Sequence, residues 1–179
     1  MSSYIGNNST VIPGVFNIDS QIRVMPVQKP GHSKQNYGTP RAFIEATEKR
    51  FGQIIFDLAA EEHNKKCDNF FTEKDDSLSQ PWAELFPTGN LWINPPFSNI
   101  KHWASKCAEE SAKRQGLILF LTPASVGSNW FAEHVHNKAM VLAVSPRLVF
   151  EGETSSFPKD LMLSVYGNGF KGFDVWRWK

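Results

Sequence analysis

The chain has 179 residues, of which 41% are hydrophobic and 21% charged, a composition typical of one soluble globular domain with a substantial core. The formal net charge of +1 neither requires nor excludes a nucleic-acid partner, because phosphate binding needs only a local basic surface. No apolar run approaches the ~20 residues that span a bilayer and no signal peptide is recognised, so we predict no membrane partner. The two cysteines, Cys67 and Cys107, form no CxxC motif and predict reduced thiols in a cytoplasmic protein.

Residues 1–38 are rich in Ser, Asn, Gly and Pro and show no hydrophobic periodicity. This texture predicts a partly flexible N-terminal arm, followed by a single domain over residues 39–179. Two interpretations of the arm stay open: a disordered leader, or a strap that packs on the domain.

The domain begins with strong helix signals. Thr39 stands where an N-cap is expected, Pro40 at the first helical position and Gly52 just past the end. The segment QIIFDLAA then predicts a buried strand that ends at Asp57. The polar connection 61–80 is long for a compact domain, and such connections are more often functional than idle.

The remaining elements alternate between apolar strands and amphipathic helices. In chain order they are a strand in NLWI, a helix in NIKHWASKCAEESAKRQG, a strand in LILFLTP, a helix in SNWFAEHVHN, a strand in MVLAVS, a short strand or hairpin arm in RLVFEG, and strands in DLMLSVYG and FDVWRWK. This order predicts an α/β fold with a mainly parallel sheet and helices on both faces. The last strands lie close together, which predicts an antiparallel hairpin at one edge.

A stiff corner follows the strand NLWI. Its residues are Asn94, Pro95, Pro96 and Phe97. Proline cannot donate to a β-ladder and restricts the residue before it, so the strand must stop here. By composition, such a tetrapeptide arises in a chain of this length with a probability on the order of one in two hundred. The alternatives are a strand-ending turn with Phe97 as a core plug, or an active site at the end of a buried strand.

The corner resembles the catalytic motif of S-adenosylmethionine-dependent amino-methyltransferases, Asp/Asn/Ser-Pro-Pro-aromatic after a central strand. Over residues 39–166 the chain is similar to the phage-type DNA N6-adenine methyltransferase (Dam-like) family. The segments that carry this resemblance are TPRAFIEATEKRFG, FDLAA, KCDNFFTEKDDSLSQPW, LWINPPFSNIKHW, LFLTPA, NWFAEHV, RLVF and FPKDLML. The resemblance implies a Rossmann-like methyltransferase fold, a phage or prophage source, and methyl transfer to a flipped adenine of double-stranded DNA in the host cytoplasm.

The residue types at the corner suit this reaction. An exocyclic adenine amine is a poor nucleophile, because its lone pair is delocalised into the ring. The Asn94 side-chain oxygen and the Pro95 carbonyl can accept its two N–H groups, Pro96 keeps that carbonyl out of a helix, and Phe97 offers a face for stacking. We therefore predict that these four residues are catalytic, mostly by positioning.

The resemblance also implies the residues that contact the cofactor, S-adenosylmethionine: Thr39, Pro40, Asp57, Ala59, Asp76 and Leu78. Asp75 is the close rival of Asp76 in the segment KDDSL. The usual glycine-rich turn is missing after Asp57, which leaves the partner of the cofactor ribose open between Glu61 and Glu62.

DNA contacts are expected from loops at the same sheet edge as the corner. The candidates are Lys101, Ser125, Asn129, Arg147 and Lys159. Arg147 begins a loop or hairpin that would enter a groove. If the arm is a strap, Lys29 and Lys34 would help to hold phosphates or cofactor.

Other interpretations of the same residues stay open. The corner also occurs in enzymes that methylate RNA bases or protein glutamines, and a catalytically inactive DNA-binding module could keep the fold. His63, His134 and His136 lack metal-ligand spacing, so we predict no metal. We expect a monomer, with GATC as a possible target by resemblance only.

Overall fold

The computed structural model describes residues 37–179, so most of the predicted arm, with Lys29 and Lys34, lies outside the described residues. The helices are α1 (Arg41–Phe51), α2 (Trp82–Leu85), α3 (Ile100–Ser111) and α4 (Asn129–His134). The strands are β1 (Ile54–Asp57), β2 (Asn90–Ile93), β3 (Ile118–Pro123), β4 (Ala139–Ser145), β5 (Leu161–Tyr166) and β6 (Gly172–Arg177). None of the helices within this range is long and apolar enough to cross a membrane.

All six strands form one sheet, in the order β1-β2-β3-β5-β4-β6. Neighbours pair in parallel except β5, which is antiparallel to both β3 and β4. The α/β class and the mainly parallel sheet with an antiparallel pair are thus confirmed. The antiparallel strand, however, lies inside the sheet and not at its edge. All six residues of β5 are buried, which requires cover on both sides, whereas only Trp176 is buried in the outer strand β6.

Helices cover both faces of the sheet, as predicted. Successive strand residues point to opposite faces, so adjacent positions enter different cores. On one face Trp92 of β2 packs with Phe43 of α1, their ring centroids 6.3 Å apart. On the other face Ile93 of β2 shares a core with Trp103 and Cys107 of α3. The corner after β2 therefore emerges between two packed layers.

The start of α1 differs from the sequence-based expectation. Pro40 is the N-cap residue, and no side chain caps the helix. The Thr39 hydroxyl instead accepts a hydrogen bond from the Asn94 side chain, at 3.1 Å. At the other end Gly52 has a φ of 95°, which favours glycine, and it terminates the helix as predicted.

The connection 146–160 joins β4 to β5. The segment RLVFEG was expected to form a short strand or hairpin arm, but the described residues 146–160 form no strand. Leu148 and Phe150 anchor the connection in the core, and residues 151–156 are exposed. Because β5 is antiparallel to β4, both ends of this connection lie at the sheet edge where β2 and β3 end.

Candidate active site

A cleft of about 440 Å3 opens at the carboxyl ends of β1 and β2. Three segments that are far apart in sequence supply its walls: the residues after β1, the end of the polar connection 61–80, and the corner after β2. The predicted site residues that line it are Ala59, Asp76, Leu78, Asn94 and Pro96. The sheet topology thus brings together two groups of residues that the sequence could relate only through family resemblance.

The corner itself has the stiff geometry expected from its prolines. Pro95 is buried, and Pro96 is extended with φ −53° and ψ 126°. A single turn of 3-10 helix, Phe97–Asn99, then leads into α3. No described group donates a hydrogen bond to the Pro95 carbonyl, so this oxygen keeps its capacity to accept.

The Asn94 side chain has a fixed orientation. Its Nδ2 donates to the Tyr37 carbonyl at 2.8 Å and to the Thr39 hydroxyl at 3.1 Å. A carbonyl can only accept, so the amide nitrogen must face Tyr37. The Oδ1 atom therefore points away from both, and no described donor bonds to it. Asn94 lines the cleft, and its unused hydrogen-bonding atom is an acceptor.

Phe97 belongs to an aromatic cluster beside the cleft. Its ring centroid lies 6.4 Å from that of Tyr37, in a stacked arrangement, and 5.8 Å from that of Phe157. Tyr37 also stacks on Phe150 at 4.9 Å. Phe97 is half-buried and is not among the cleft-lining residues. It therefore packs against other aromatic side chains, in line with the alternative that treated it as a core plug.

Asp57 lies beneath the cleft wall and does not line the cleft. Its carboxylate accepts hydrogen bonds from the backbone N–H groups of Ala59, at 3.2 Å, and Lys66, at 3.1 Å. Burial raises its pKa to about 6, although these two N–H groups and the Lys66 charge act in the opposite direction. The carboxylate shapes the turn that follows β1, and that turn forms one wall of the cleft.

Only one acid of the pair after this turn reaches the cleft. Glu61 lines it, and its Oε1 accepts from the Glu73 N–H at 3.2 Å. Glu62 is exposed and forms an ion pair with Lys65 at 2.8 Å, outside the cleft lining. Of the two acids, only Glu61 therefore lies where it can contact a molecule in the cleft.

The acids of the segment KDDSL are separated in the same way. The Asp75 carboxylate accepts from both the N–H and the hydroxyl of Thr72, each at 2.7 Å. These bonds hold the pKa of Asp75 below its usual range and commit it to a local turn. Asp76 has a φ of 46° and lines the cleft. The left-handed backbone at Asp76 turns the two neighbouring side chains in different directions.

Thr39 and Pro40 stand behind Asn94 and do not line the cleft. The lining residues that were not foreseen as site residues include Tyr37, Asn64 and Trp103. Tyr37 directly precedes the segment Gly38-Thr39-Pro40 that leads into α1. Its position next to the predicted site residues Thr39 and Pro40 was the only sequence signal for its role. Trp103 of α3 is both a core residue and a part of the cleft wall.

The predicted DNA contacts lie on loops and helix starts at the carboxyl ends of β2, β3 and β4, the same edge as the corner. Lys101, Ser125, Asn129 and Lys159 are exposed. Arg147 is engaged within its own connection, with Nε 2.8 Å from Asp160 Oδ1 and Nη1 3.3 Å from the Pro158 carbonyl. In residues 37–179 no three His, Cys, Asp or Glu side chains are grouped so that they could hold a metal ion.

Comparison with known proteins identifies a family. Residues 27–163 match the family model described as DNA N-6-adenine-methyltransferase (Dam). A DNA N-6-adenine-methyltransferase of Escherichia phage T1 is 29% identical over 146 residues, which cover 81% of this chain and 60% of that protein. A DNA N-6-adenine-methyltransferase of Haemophilus phage HP1 is 29% identical over 120 residues, which cover 65% of this chain and 66% of that protein. The chain thus spans less than two thirds of the length of either relative.

Proposed function

The chain belongs to the DNA N-6-adenine-methyltransferase (Dam) family, and on that basis we propose that it transfers a methyl group from S-adenosylmethionine to the N6 amine of adenine in double-stranded DNA. The observation that carries this proposal is the orientation of Asn94, whose amide nitrogen is bonded to Tyr37 and Thr39 while its oxygen stays available at the cleft. Both relatives described above are named for this activity and come from phages. We expect the reaction to take place in the cytoplasm of a bacterial host.

The cleft has the size and chemistry to accept the cofactor. Its volume of about 440 Å3 lies in the range of small-molecule sites. The Glu61 carboxylate suits ribose hydroxyls, and the Asp76 carboxylate suits the amino group of the cofactor adenine. Leu78 and Trp103 add apolar surface for the adenine ring. When bound, S-adenosylmethionine supplies an electrophilic methyl group on its sulfonium.

The chain's own contribution is to hold the acceptor amine. The Asn94 Oδ1 and the Pro95 carbonyl accept the two N–H groups, which favours a tetrahedral nitrogen with its lone pair directed at the methyl group. Both acceptors also stabilise the positive charge that develops on the nitrogen. Pro96 keeps the Pro95 carbonyl from being used by α3, and we assign stacking of the adenine to Phe97. Because a paired base cannot reach these groups, the target is flipped out of the duplex.

The other predicted contacts remain part of the proposal. We assign Thr39, Pro40, Asp57 and Ala59 to the cofactor side, where Asp57 and Ala59 form the turn of the wall and Thr39 supports Asn94. We assign DNA contacts to Lys101, Ser125, Asn129 and Lys159, which are exposed at one edge. We assign Arg147 an indirect contribution to DNA binding, because its bonds to Asp160 and Pro158 fix the conformation of the connection 146–160.

The decisive experiment is a methyl-transfer assay with labelled S-adenosylmethionine and unmethylated plasmid DNA, followed by digestion and identification of the labelled nucleoside. We expect label in N6-methyl-2′-deoxyadenosine, and a rate about 10²- to 10³-fold lower in Asn94→Ala, because one preorganised acceptor is lost. Asn69→Ala, which changes an exposed asparagine outside the cleft, is the matched control and should retain the rate. Label only in RNA or protein would refute DNA as the substrate. Absence of cofactor binding by calorimetry would instead indicate an inactive DNA-binding module.

A further inference from the structure

The segment 37–39 lies between the catalytic corner and the connection 146–160. On one side, the Tyr37 carbonyl and the Thr39 hydroxyl hold the amide nitrogen of Asn94. On the other side, the Gly38 carbonyl accepts a hydrogen bond from the Glu151 N–H at 2.8 Å. The orientation of Asn94 therefore depends on a segment that is itself attached to another loop.

The Glu151 side chain closes over Gly38. Its carboxylate occupies the space that a Cβ atom on Gly38 would need. Glu151 Oε2 lies 2.8 Å from Lys66 Nζ. The Lys66 side chain is only 6% exposed and that of Glu151 is 43% exposed, so the ion pair is anchored at its buried end. A buried ammonium strongly favours retention of its partner, because removal of that partner leaves an uncompensated charge.

Lys66 connects this contact to the wall of the cleft. Its backbone N–H donates to the buried Asp57 carboxylate at 3.1 Å, and its backbone carbonyl accepts from Arg41 Nη1 at 3.3 Å. Lys66 is thus held through its main chain, and its buried side chain is paired with Glu151. The cleft wall, the connection 146–160 and the segment 37–39 meet at this ion pair.

We propose that Glu151 is a positioning residue for methyl transfer: its ion pair with Lys66 holds the segment 37–39 at Gly38, and that segment sets the orientation of the Asn94 amide. The inference rests on the proposed function for its effect on rate. It does not require Glu151 to touch the adenine or the cofactor. If the inference holds, the position of the Asn94 acceptor depends on the position of the connection 146–160.

A double-mutant cycle between Gly38 and Glu151 tests this inference. Gly38 does not have a positive φ, so the backbone conformation suits Ala and the Glu151 carboxylate is the main obstacle to a methyl group. We expect Gly38→Ala and Glu151→Ala each to lower the single-turnover rate at saturating DNA and cofactor by about tenfold. This corresponds to a loss of about 1.4 kcal/mol of transition-state stabilisation. In the Glu151→Ala background, Gly38→Ala should cost less than about twofold more, because the two substitutions disturb one contact. Cofactor affinity should stay unchanged in both.

The matched control is Glu109→Ala. Glu109 forms an exposed ion pair with Lys113 on α3, and neither residue lines the cleft. This variant should keep the rate of the unmodified protein. If Gly38→Ala has its full effect in the Glu151→Ala background, or if Glu151→Ala retains the rate, the inference is wrong.

A second measurement does not depend on activity. Exchange of the Asn94 side-chain amide protons, followed by NMR with nitrogen-15 labelling, should be slow in the unmodified protein and in Glu109→Ala, and at least about tenfold faster in Glu151→Ala. Lys66→Met/Glu151→Ala removes the uncompensated buried charge, so it should fold stably while its Asn94 amide still exchanges fast. Slow exchange in this double variant would overturn the inference. If the protein methylates no adenine, the proposed function fails, and the amide exchange still decides the role of Glu151.

Discussion

The Asn94 amide is held by two acceptors, and they differ in what a substitution can remove. The Tyr37 carbonyl belongs to the backbone, whereas the Thr39 hydroxyl can be deleted without a change of shape. We predict that Thr39→Val lowers kcat about three- to tenfold, because one buried hydrogen bond contributes about 1 kcal/mol and its loss frees the amide to rotate. Thr39→Ser restores the hydroxyl and should recover most of the rate. Equal rates for the Val and Ser variants would show that the hydroxyl does not orient Asn94.

Thr39 also shows a limit of sequence-based prediction at the scale of single residues. Thr followed by Pro is a correct signal that a helix begins, and α1 does begin at Arg41. The pattern cannot tell whether the hydroxyl faces the helix or a loop 55 residues away. Asp75 and Asp76 pose the same problem, because their side chains diverge through a left-handed backbone at Asp76 that the segment KDDSL does not announce.

At the scale of elements, the turn after β1 is built around a buried carboxylate. The pKa of Asp57 is raised from 3.8 to about 6 in the folded state, so folding favours its protonated form. Its contribution to stability is therefore fully present below about pH 4 and is lost as the pH rises through about 6. A shift of about two pKa units corresponds to about 3 kcal/mol.

Asp57→Asn removes this titration. We predict that the free energy of unfolding of the unmodified protein, relative to that of Asp57→Asn, falls by about 2.5 kcal/mol between pH 4 and pH 7. Urea unfolding of both proteins at several pH values in that range measures the difference, and carboxylates common to both cancel. A difference that stays constant from pH 4 to pH 7 would contradict the assignment of the raised pKa to Asp57.

The presence of the strands was easier to predict than their order in the sheet. The apolar run DLMLSVYG and the mixed segment FDVWRWK were both recognised as strands, and both are. Their composition even separates an interior strand from an outer one, since β5 is fully buried and β6 is not. Periodicity is a local property, however, and it does not specify that β5 enters between β3 and β4. In that order the connection from β3 to β4 skips one position of the sheet, which β5 fills, and no short-range pattern encodes this.

At the scale of the whole molecule, charge is nearly balanced, with 19 Lys and Arg against 18 Asp and Glu. Under the proposed function, DNA affinity must therefore come from local cations at the sheet edge that carries the corner. We predict that Lys101→Ala and Lys159→Ala each reduce the slope of log Kd against log salt concentration by about 0.9, the value for one phosphate contact. Fluorescence anisotropy with a duplex at several salt concentrations gives the slope. Lys113→Ala, just after the end of α3 and in an ion pair with Glu109, is the control, and an equal change there would mean that the effect is one of total charge.

Both ends of the connection 146–160 lie at the same sheet edge as the corner, because β5 runs antiparallel to β4. Insertions in its exposed part, residues 151–156, would lengthen a surface loop at a small entropic cost and leave the six-stranded sheet unchanged. Under the proposed function, the loop can therefore vary in length and sequence, and with it the DNA sequence preference, while the corner at Asn94 stays unchanged. Glu151 is the exception, because its contact with Gly38 supports the segment that holds the Asn94 amide. A substitution at Glu151 would therefore be expected to disturb the orientation of that amide.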